Sequence, residues 1–403
     1  MTSTALGRDF RLLWSAAVSS RLGDALRTPA LALLAATVTR DPRIIAAVTV
    51  AGQLPPLLFG LLGGVYADRW DRRRTMAVVD GVRAAVVAAL AVAVALHRAG
   101  VWVVLVAAFL LAALGTLFDS ASFALLPALV PPDALPRANG RLQAGSAVAG
   151  GFLGAPAAGV LFAVAPALPF ALDAVTFAVA ALLVLALTPA PVAGTPPWSG
   201  VRRGSVWREI VEGLRWLYAH RTLWRVTVLT SASNLAISGI MAVLVLYALD
   251  VLRVPPAGYG LFAAAAIVGG VVGALGAGRL AARLGTVPAL GVVLAAETVA
   301  LTGFALARHP VPGGLALAVF AAGTVAWNSL WASYGQRNVP AGLLGRVGAA
   351  QRMVGLVTAP VGAALAGLAA AAFGTVPVVG AAAGVFALVT VAAWRALRPV
   401  SRA

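Results

Sequence analysis

Long apolar runs separated by short polar breaks dominate the chain. Twelve such runs fall at about 12–38, 44–66, 75–96, 101–122, 143–165, 167–188, 223–249, 257–280, 286–307, 311–334, 348–371 and 375–397. A helix needs about 20 residues to cross a hydrocarbon core of about 30 Å. The pattern therefore predicts an all-α polytopic membrane protein with 12 transmembrane helices. The tightest break follows Ile44–Val65 and precedes Met76–Leu96, and it packs six charges into the seven residues Asp68 to Arg74. Such a turn must lie in water at one face of a bilayer. The longest break runs from Thr188-Pro189-Ala190-Pro191 to Gly204 and is too rich in Pro and Gly to be helical. Ser205 to Arg225 then reads as an amphipathic helix. Trp207, Ile210, Val211, Leu214, Leu217 and Tyr218 recur at helical spacing, with Arg208, Glu212, Arg215 and His220 between them. Its basic and aromatic character suits an inner lipid interface. The expected domains are a six-helix bundle over 1–188, a linker with the interfacial helix over 189–222, and a second bundle over 223–403.

Composition removes the soluble alternatives. The 403 residues are 61% hydrophobic and 11% charged, with a mean hydropathy of +0.95. Soluble domains are nearer a quarter charged. The net charge of +17 invites a nucleic-acid reading, but the basic residues are not gathered on a polar domain. All of them are Arg, with no Lys. With the N-terminus inside, 21 Arg fall in cytoplasmic segments and 5 in outer loops, which places both termini in the cytoplasm. The short polar start, Met1 to Arg11, reads as the lead-in to an uncleaved first span. The absence of Cys excludes disulfides, thiolate metal sites and a Cys nucleophile. No phosphate-binding Gly-Lys-Ser/Thr motif, metal-ligand cluster or hydrolytic triad spacing is present. No cofactor, metal or catalytic residue is expected. A membrane enzyme or sensor would need a reactive cluster or a large soluble domain, and segment 189–222 supplies neither.

The two halves repeat. Gly278-Arg279-Leu280-Ala281-Ala282-Arg283-Leu284-Gly285 follows the eighth span as the charged turn follows the second. Gly140-Arg141 then Ala155-Pro156 marks the fifth span, and Gly345-Arg346 then Ala359-Pro360 marks the eleventh. Leu96-His97-Arg98 ends the third, and Ala307-Arg308-His309 ends the ninth. Two pseudo-symmetric bundles of this kind suit a transporter with its binding site near the membrane midplane.

Charges within the spans are the candidate chemistry, since each costs about 3 kcal/mol on insertion scales. Arg21, Asp24 and Arg27 lie one turn apart on one side of the first span. Asp24 sits about 18 Å in from Leu12 by helical rise. It is either a proton- or substrate-exchanging carboxylate or part of a static brace between helices. Glu297, about 17 Å into the ninth span, has no basic residue within a turn. It is either a proton or cation site or a neutral acid bonded between helices. Asp80 and Arg83, at i and i+3 of the third span, are either a structural pair or a substrate contact, and Asp173 reads as a helix–helix bond. Asn234, Asn328, Gln351 and Arg352 could line a cavity. Trp327 and Trp331 flank Asn328 and could stack on an aromatic ligand or mark the interface. His97 and His309 fall in outer loops, and His220 has no evident partner.

Gly64-x-x-Ala67-Asp68-Arg69-x-Asp71-Arg72-Arg73 resembles the signature loop between the second and third helices of the major facilitator superfamily (MFS). Asp71 stands where Gly is usual, a spelling similar to the macrolide and siderophore exporter branch. Phe10-Arg11-x-Leu13-Trp14, Leu129-Val130-Pro131-Pro132-Asp133 and Ala138-Asn139 resemble the same branch. The resemblance implies the MFS fold and a gate. Asp119 would pair with Arg72, and Asp68 would face the start of the eleventh span at Gly345 and Arg346. Gly150, Gly154, Pro156 and Gly159 resemble the antiporter motif of drug exporters, with Ala155 and Ala158 as departures. The implied function is export of an amphipathic or aromatic small molecule (a drug, antibiotic, siderophore or secondary metabolite) by proton antiport with alternating access. The proton gradient would be the energy source. Nutrient uptake by a permease of the same fold is the alternative. The expected partners are a lipid bilayer and one small-molecule substrate, with no nucleic acid, for a monomer in the inner (plasma) membrane.

Overall fold

The computed structural model describes residues 7–67, 71–131, 134–188, 206–340 and 343–397. Asp68 and Arg69 of the signature loop lie outside these residues, as does the Pro/Gly-rich stretch. The described chain is helical throughout: α1 Arg8–Val38, α2 Pro42–Ala67, α3 Arg72–Ala95, α4 Val101–Leu129, α5 Leu135–Ala147, α6 Ala155–Val164, α7 Leu168–Leu185, α8 Val206–Ala219, α9 Arg221–Leu246, α10 Pro256–Leu284, α11 Thr286–Leu306, α12 Pro310–Asn338, α13 Leu344–Phe373 and α14 Thr375–Leu397. Among the described residues, eleven helical stretches are long and apolar enough to cross a membrane. α1 has the length, at 31 residues, but Arg21, Asp24 and Arg27 interrupt its apolar run. Large apolar side chains face outward along these helices. Val78, Leu182, Leu275 and Val299 are all more than 60% exposed, which is untenable in water and natural against lipid.

Local chemistry sets the helix ends. Asp71, the departure from the signature spelling, is the N-cap of α3: its carboxylate accepts from Arg73 N and Arg74 N at 3.0 and 3.2 Å. That satisfies two of the free amides of the first turn. At the same end, the Arg73 side chain donates through Nε to the Val184 carbonyl at 3.2 Å, and through Nη2 to Leu185, at the close of α7.

The fifth span begins earlier than expected, at Leu135, and passes through a π-helical segment, Val148–Gly154, before α6. Pro156 sits in the first turn of α6. Proline has no amide hydrogen and crowds the preceding turn, and a wider turn relieves both. The amphipathic helix is also shorter than expected. It ends at Ala219, and His220 breaks it from α9. His220 stacks on Trp216 with centroids 3.7 Å apart, and its Nδ1 bonds the Trp216 carbonyl at 2.8 Å. It thus has the partner that the sequence did not reveal. His309 is likewise not a free loop histidine, since its Nδ1 accepts from Val311 N as the N-cap of α12.

The chain packs as two compact units. The first comprises residues up to Ala193 together with Pro255–Ala264, and the second comprises the remainder. In the first, α1 packs on α5, α6 and α7, α3 on α4 and α7, and α2 on α4. Its core joins Phe10, Leu13, Met76, Phe118, Leu126 and Val184. The short piece Pro255–Ala264 docks on α6 where Gly159 and Gly260 meet backbone to backbone, with no room for a Cβ on either. In the second unit α9 packs on α13 and α14, and α11 on α12 and α14. Gly269 and Gly273 bring α10 against the backbone of Ala318 and Ala322 on α12. Element for element this repeats the first scheme, with α9 in the place of α1 and α14 in the place of α7. Small residues at four-residue spacing allow such close approach where lipid supplies no hydrophobic drive between helices.

Candidate functional site

Among the described residues, each unit holds one main concentration of polar chemistry. In the first unit α1 is its spine. Asp24 receives Arg83 Nη2 of α3 at 2.7 Å and Arg27 Nη2 of its own helix, and Arg21 Nη1 stands 3.9 Å away. Arg83 also donates through Nη1 to Asp80 Oδ1 at 3.2 Å and to Ser20 Oγ at 3.0 Å. Its guanidinium lies 3.9 Å from the ring centroid of Phe177. Arg27 Nε donates to Asp173 Oδ2 on α7 at 3.0 Å. Arg21 Nη2 reaches Asp119 Oδ1 on α4 at 2.6 Å. Three guanidiniums and four carboxyls from four helices thus form one connected network. Its Arg21–Asp119 end is about half exposed, while Asp80 and Asp173 are fully buried.

Several expectations are revised here. Asp119, which the resemblance would pair with Arg72, receives Arg21, because a one-turn ladder on α1 projects toward α4. Arg72 lies half-buried in the first turn of α3. Asp80 and Arg83 are not an isolated pair, since Arg83 bridges Asp80 to Asp24. Gly154, from the antiporter-like stretch, presses against Ala25 Cβ and the Leu22 carbonyl. It therefore brings the π-helical segment against the turn of α1 that carries Asp24. Gly150 faces open space. Gly64 lies within α2, and Arg346 within the first turn of α13. The side chains of Arg346 and Arg352 lie outside the described residues.

In the second unit Glu297 is 3% exposed, and its Oε1 accepts from Thr324 Oγ1 of α12 at 2.8 Å. Gly323 leaves room for its side chain. Glu297 opens on a hollow walled by α9, α11, α12 and α14. Asn234, Asn328, Thr230, Ser233 and Trp327 share its walls. The Thr230 hydroxyl is buried there without a partner. Ile237 also lines a second, purely apolar hollow with Ile240, Met241, Leu301, Phe304, Leu317 and Phe320. Trp327 stacks on Trp331, and Trp331 on Tyr334, at centroid distances of 6.0 and 5.3 Å. Gln351, expected in the cavity, instead donates to Thr227 Oγ1 at 3.1 Å. One acid, two amides, hydroxyls and an indole line the first hollow and only apolar side chains line the second, with Ile237 common to both, a pairing that suits a molecule with a polar end and an apolar body.

The comparisons with known proteins agree with this architecture. A stretch of 135 residues is 27% identical to macrolide efflux protein A of Streptococcus pyogenes, covering 33% of this chain and 33% of that protein. The match therefore spans about a third of the length of this curated relative. Among solved structures, a bacterial homologue of the lysosomal transporter Spinster superposes with a TM-score of 0.74 at 14% identity, covering 99% of this chain and 98% of that one. A bacterial homologue of the iron transporter ferroportin gives 0.69 at 16% identity, covering 96% and 100%. At such identities these two likenesses concern the fold alone. Residues 13–363 match the family described as Major Facilitator Superfamily, and with that match running through both units, the chain belongs to the Major Facilitator Superfamily.

Proposed function

We propose that the protein is a secondary transporter that exports an amphipathic or aromatic small molecule in exchange for protons, with its two units giving access to the two sides of the membrane in turn. The observation that carries this reading is the hollow of the second unit. Glu297, Asn234, Asn328 and Trp327 line it together, and Ile237 also lines a purely apolar hollow. A membrane-embedded acid is a functional-site hypothesis by default, and the apolar lining argues against small hydrophilic nutrients. The partial likeness to a macrolide efflux protein supports export and places macrolides at the head of a compound panel. The Arg bias supports cytoplasmic termini.

The test is a compound-sensitivity screen in cells with and without expression, repeated with a proton uncoupler. It is paired with purified protein in sealed vesicles under an imposed pH gradient. Resistance that the uncoupler abolishes, with gradient-driven substrate movement in vesicles, is the expected result. Accumulation of substrate down the proton gradient would instead identify an uptake symporter.

A further inference from the structure

The network of the first unit is not balanced. Its Arg21–Asp119 pair is half exposed and can be solvated. Behind it, two guanidiniums, Arg27 and Arg83, face three carboxyls, Asp24, Asp80 and Asp173. The helices packed around α7 bring no other charge near Asp173: α1 contributes Arg21, Asp24 and Arg27, α3 contributes Asp80 and Arg83, and α6 contributes none. A third carboxylate in this buried place would be uncompensated, which a low-dielectric interior does not tolerate. Asp24 is the best-compensated of the three, since one oxygen receives both guanidiniums. Asp80 and Asp173 each spend one oxygen on an Arg and bury the other without a partner.

What separates those two is the surrounding of the spare oxygen. Asp173 Oδ1 and Thr176 Oγ1 both crowd the place that a Cβ on Gly23 would occupy. The Thr176 hydroxyl donates to the backbone carbonyl of Asp173 at 2.7 Å, which leaves its lone pairs free to accept. Oδ1 makes no hydrogen bond in this arrangement, but the Thr176 hydroxyl flanks the same place beside Gly23, so a small rotation of the Asp173 carboxyl gives an acid hydrogen on Oδ1 this oxygen as its acceptor. We propose that Asp173, not Asp24, is the proton-binding residue of the first unit. Its proton sits on Oδ1 toward Thr176, while Asp24 remains the fixed counter-ion of Arg27 and Arg83. Release of that proton lets the Asp173 carboxylate compete with Asp24 for Arg27, so proton exchange changes the α1–α7 contact. This deepens the antiport reading and rests on it for its role in transport. The proton itself can be seen without any transport.

The experiment is infrared spectroscopy of the purified protein in detergent, without substrate, in a Glu297→Gln background so that the other buried acid is silent. The carbonyl stretch of a neutral carboxyl group is resolved from carboxylate bands. One buried acid per chain is expected. Asp173→Asn abolishes it, and Arg27→Gln, which removes a cation, roughly doubles it. Thr176→Val preserves shape and removes only the acceptor, so it shifts the band to higher frequency. Absence of an acid band, or a band unmoved in Thr176→Val, overturns the assignment. Either result leaves the export reading standing, while failure of export with the band in place would overturn that reading alone.

Discussion

Arg83 is the residue whose loss the structure predicts most sharply. Its side chain is 3% exposed and serves Asp24 at 2.7 Å and Asp80 at 3.2 Å. With charge centres about 4 Å apart and an effective dielectric constant of about 20, each pair is worth about 4 kcal/mol. The two together give about 8 kcal/mol. Burying the guanidinium costs several kcal/mol. The net loss on Arg83→Gln is then about 3–5 kcal/mol, in the range for removing one partner of a buried pair. Arg27 would be left alone with three carboxyls, so protons must supply the compensation. The destabilisation should therefore shrink as the pH is lowered. Removing one carboxyl as well, in Arg83→Gln with Asp80→Asn, restores the original excess and should recover part of the loss. The assay is unfolding in mixed micelles by increasing fractions of denaturing detergent, followed by tryptophan fluorescence at two pH values. A single variant as stable as the parent, or a double variant whose cost is the sum of the singles, would refute the reasoning, because a shared network cannot be additive.

Further outcomes are expected elsewhere. Asp71→Ala should cost about 1 kcal/mol at the start of α3, seen as faster hydrogen exchange at the Arg73 and Arg74 amides with the rest of the bundle unchanged. Gly273→Val should drive a side chain into the Ala322 carbonyl and abolish monodisperse protein, whereas Gly276→Ala, which faces open space, should be tolerated. Thr324→Val should remove the one donor seen on Glu297 at a cost of about 0.6 kcal/mol, the average for such bonds between membrane helices, as measured in a double-mutant cycle with Glu297→Gln. The chain has no Cys, so single cysteines replacing Arg72 and Arg98 can be labelled cleanly. Reagents that do not cross the membrane should reach them from opposite sides.

Which parts of this were legible in the sequence follows from the range of the interactions. Helix length and apolar character are local, so the spans could be read directly. The repeat could be read because each landmark, such as Ala155-Pro156 and Ala359-Pro360, is a short string. Asp24 and Glu297 stood out as isolated charges in apolar surroundings. Their partners did not. Arg27 meets Asp173 across 146 positions, and Arg83 meets Asp24 across 59. Nothing in either stretch marks the other. The i, i+3 spacing of Asp80 and Arg83 correctly joined those two and concealed the stronger bond to Asp24. The break at His220 was hidden because its side chain continues the amphipathic pattern while its backbone, at φ −96° and ψ 86°, has already left the helix.

The wide turn at Val148–Gly154 has its own consequence. A π turn is an α-helix carrying one surplus residue. Deleting a single residue there would give a regular helix. Because the wide turn has already absorbed that residue, the helix on either side would keep nearly the same phase, and Pro156 would lose the room the wide turn gives it. Deleting a residue from α6 between Pro156 and Gly159 has no such slack: it would rotate Gly159 by about 100° off the Gly260 backbone that it meets. The surplus residue is thus a local reserve, and a one-residue deletion should be less damaging inside Val148–Gly154 than just after it.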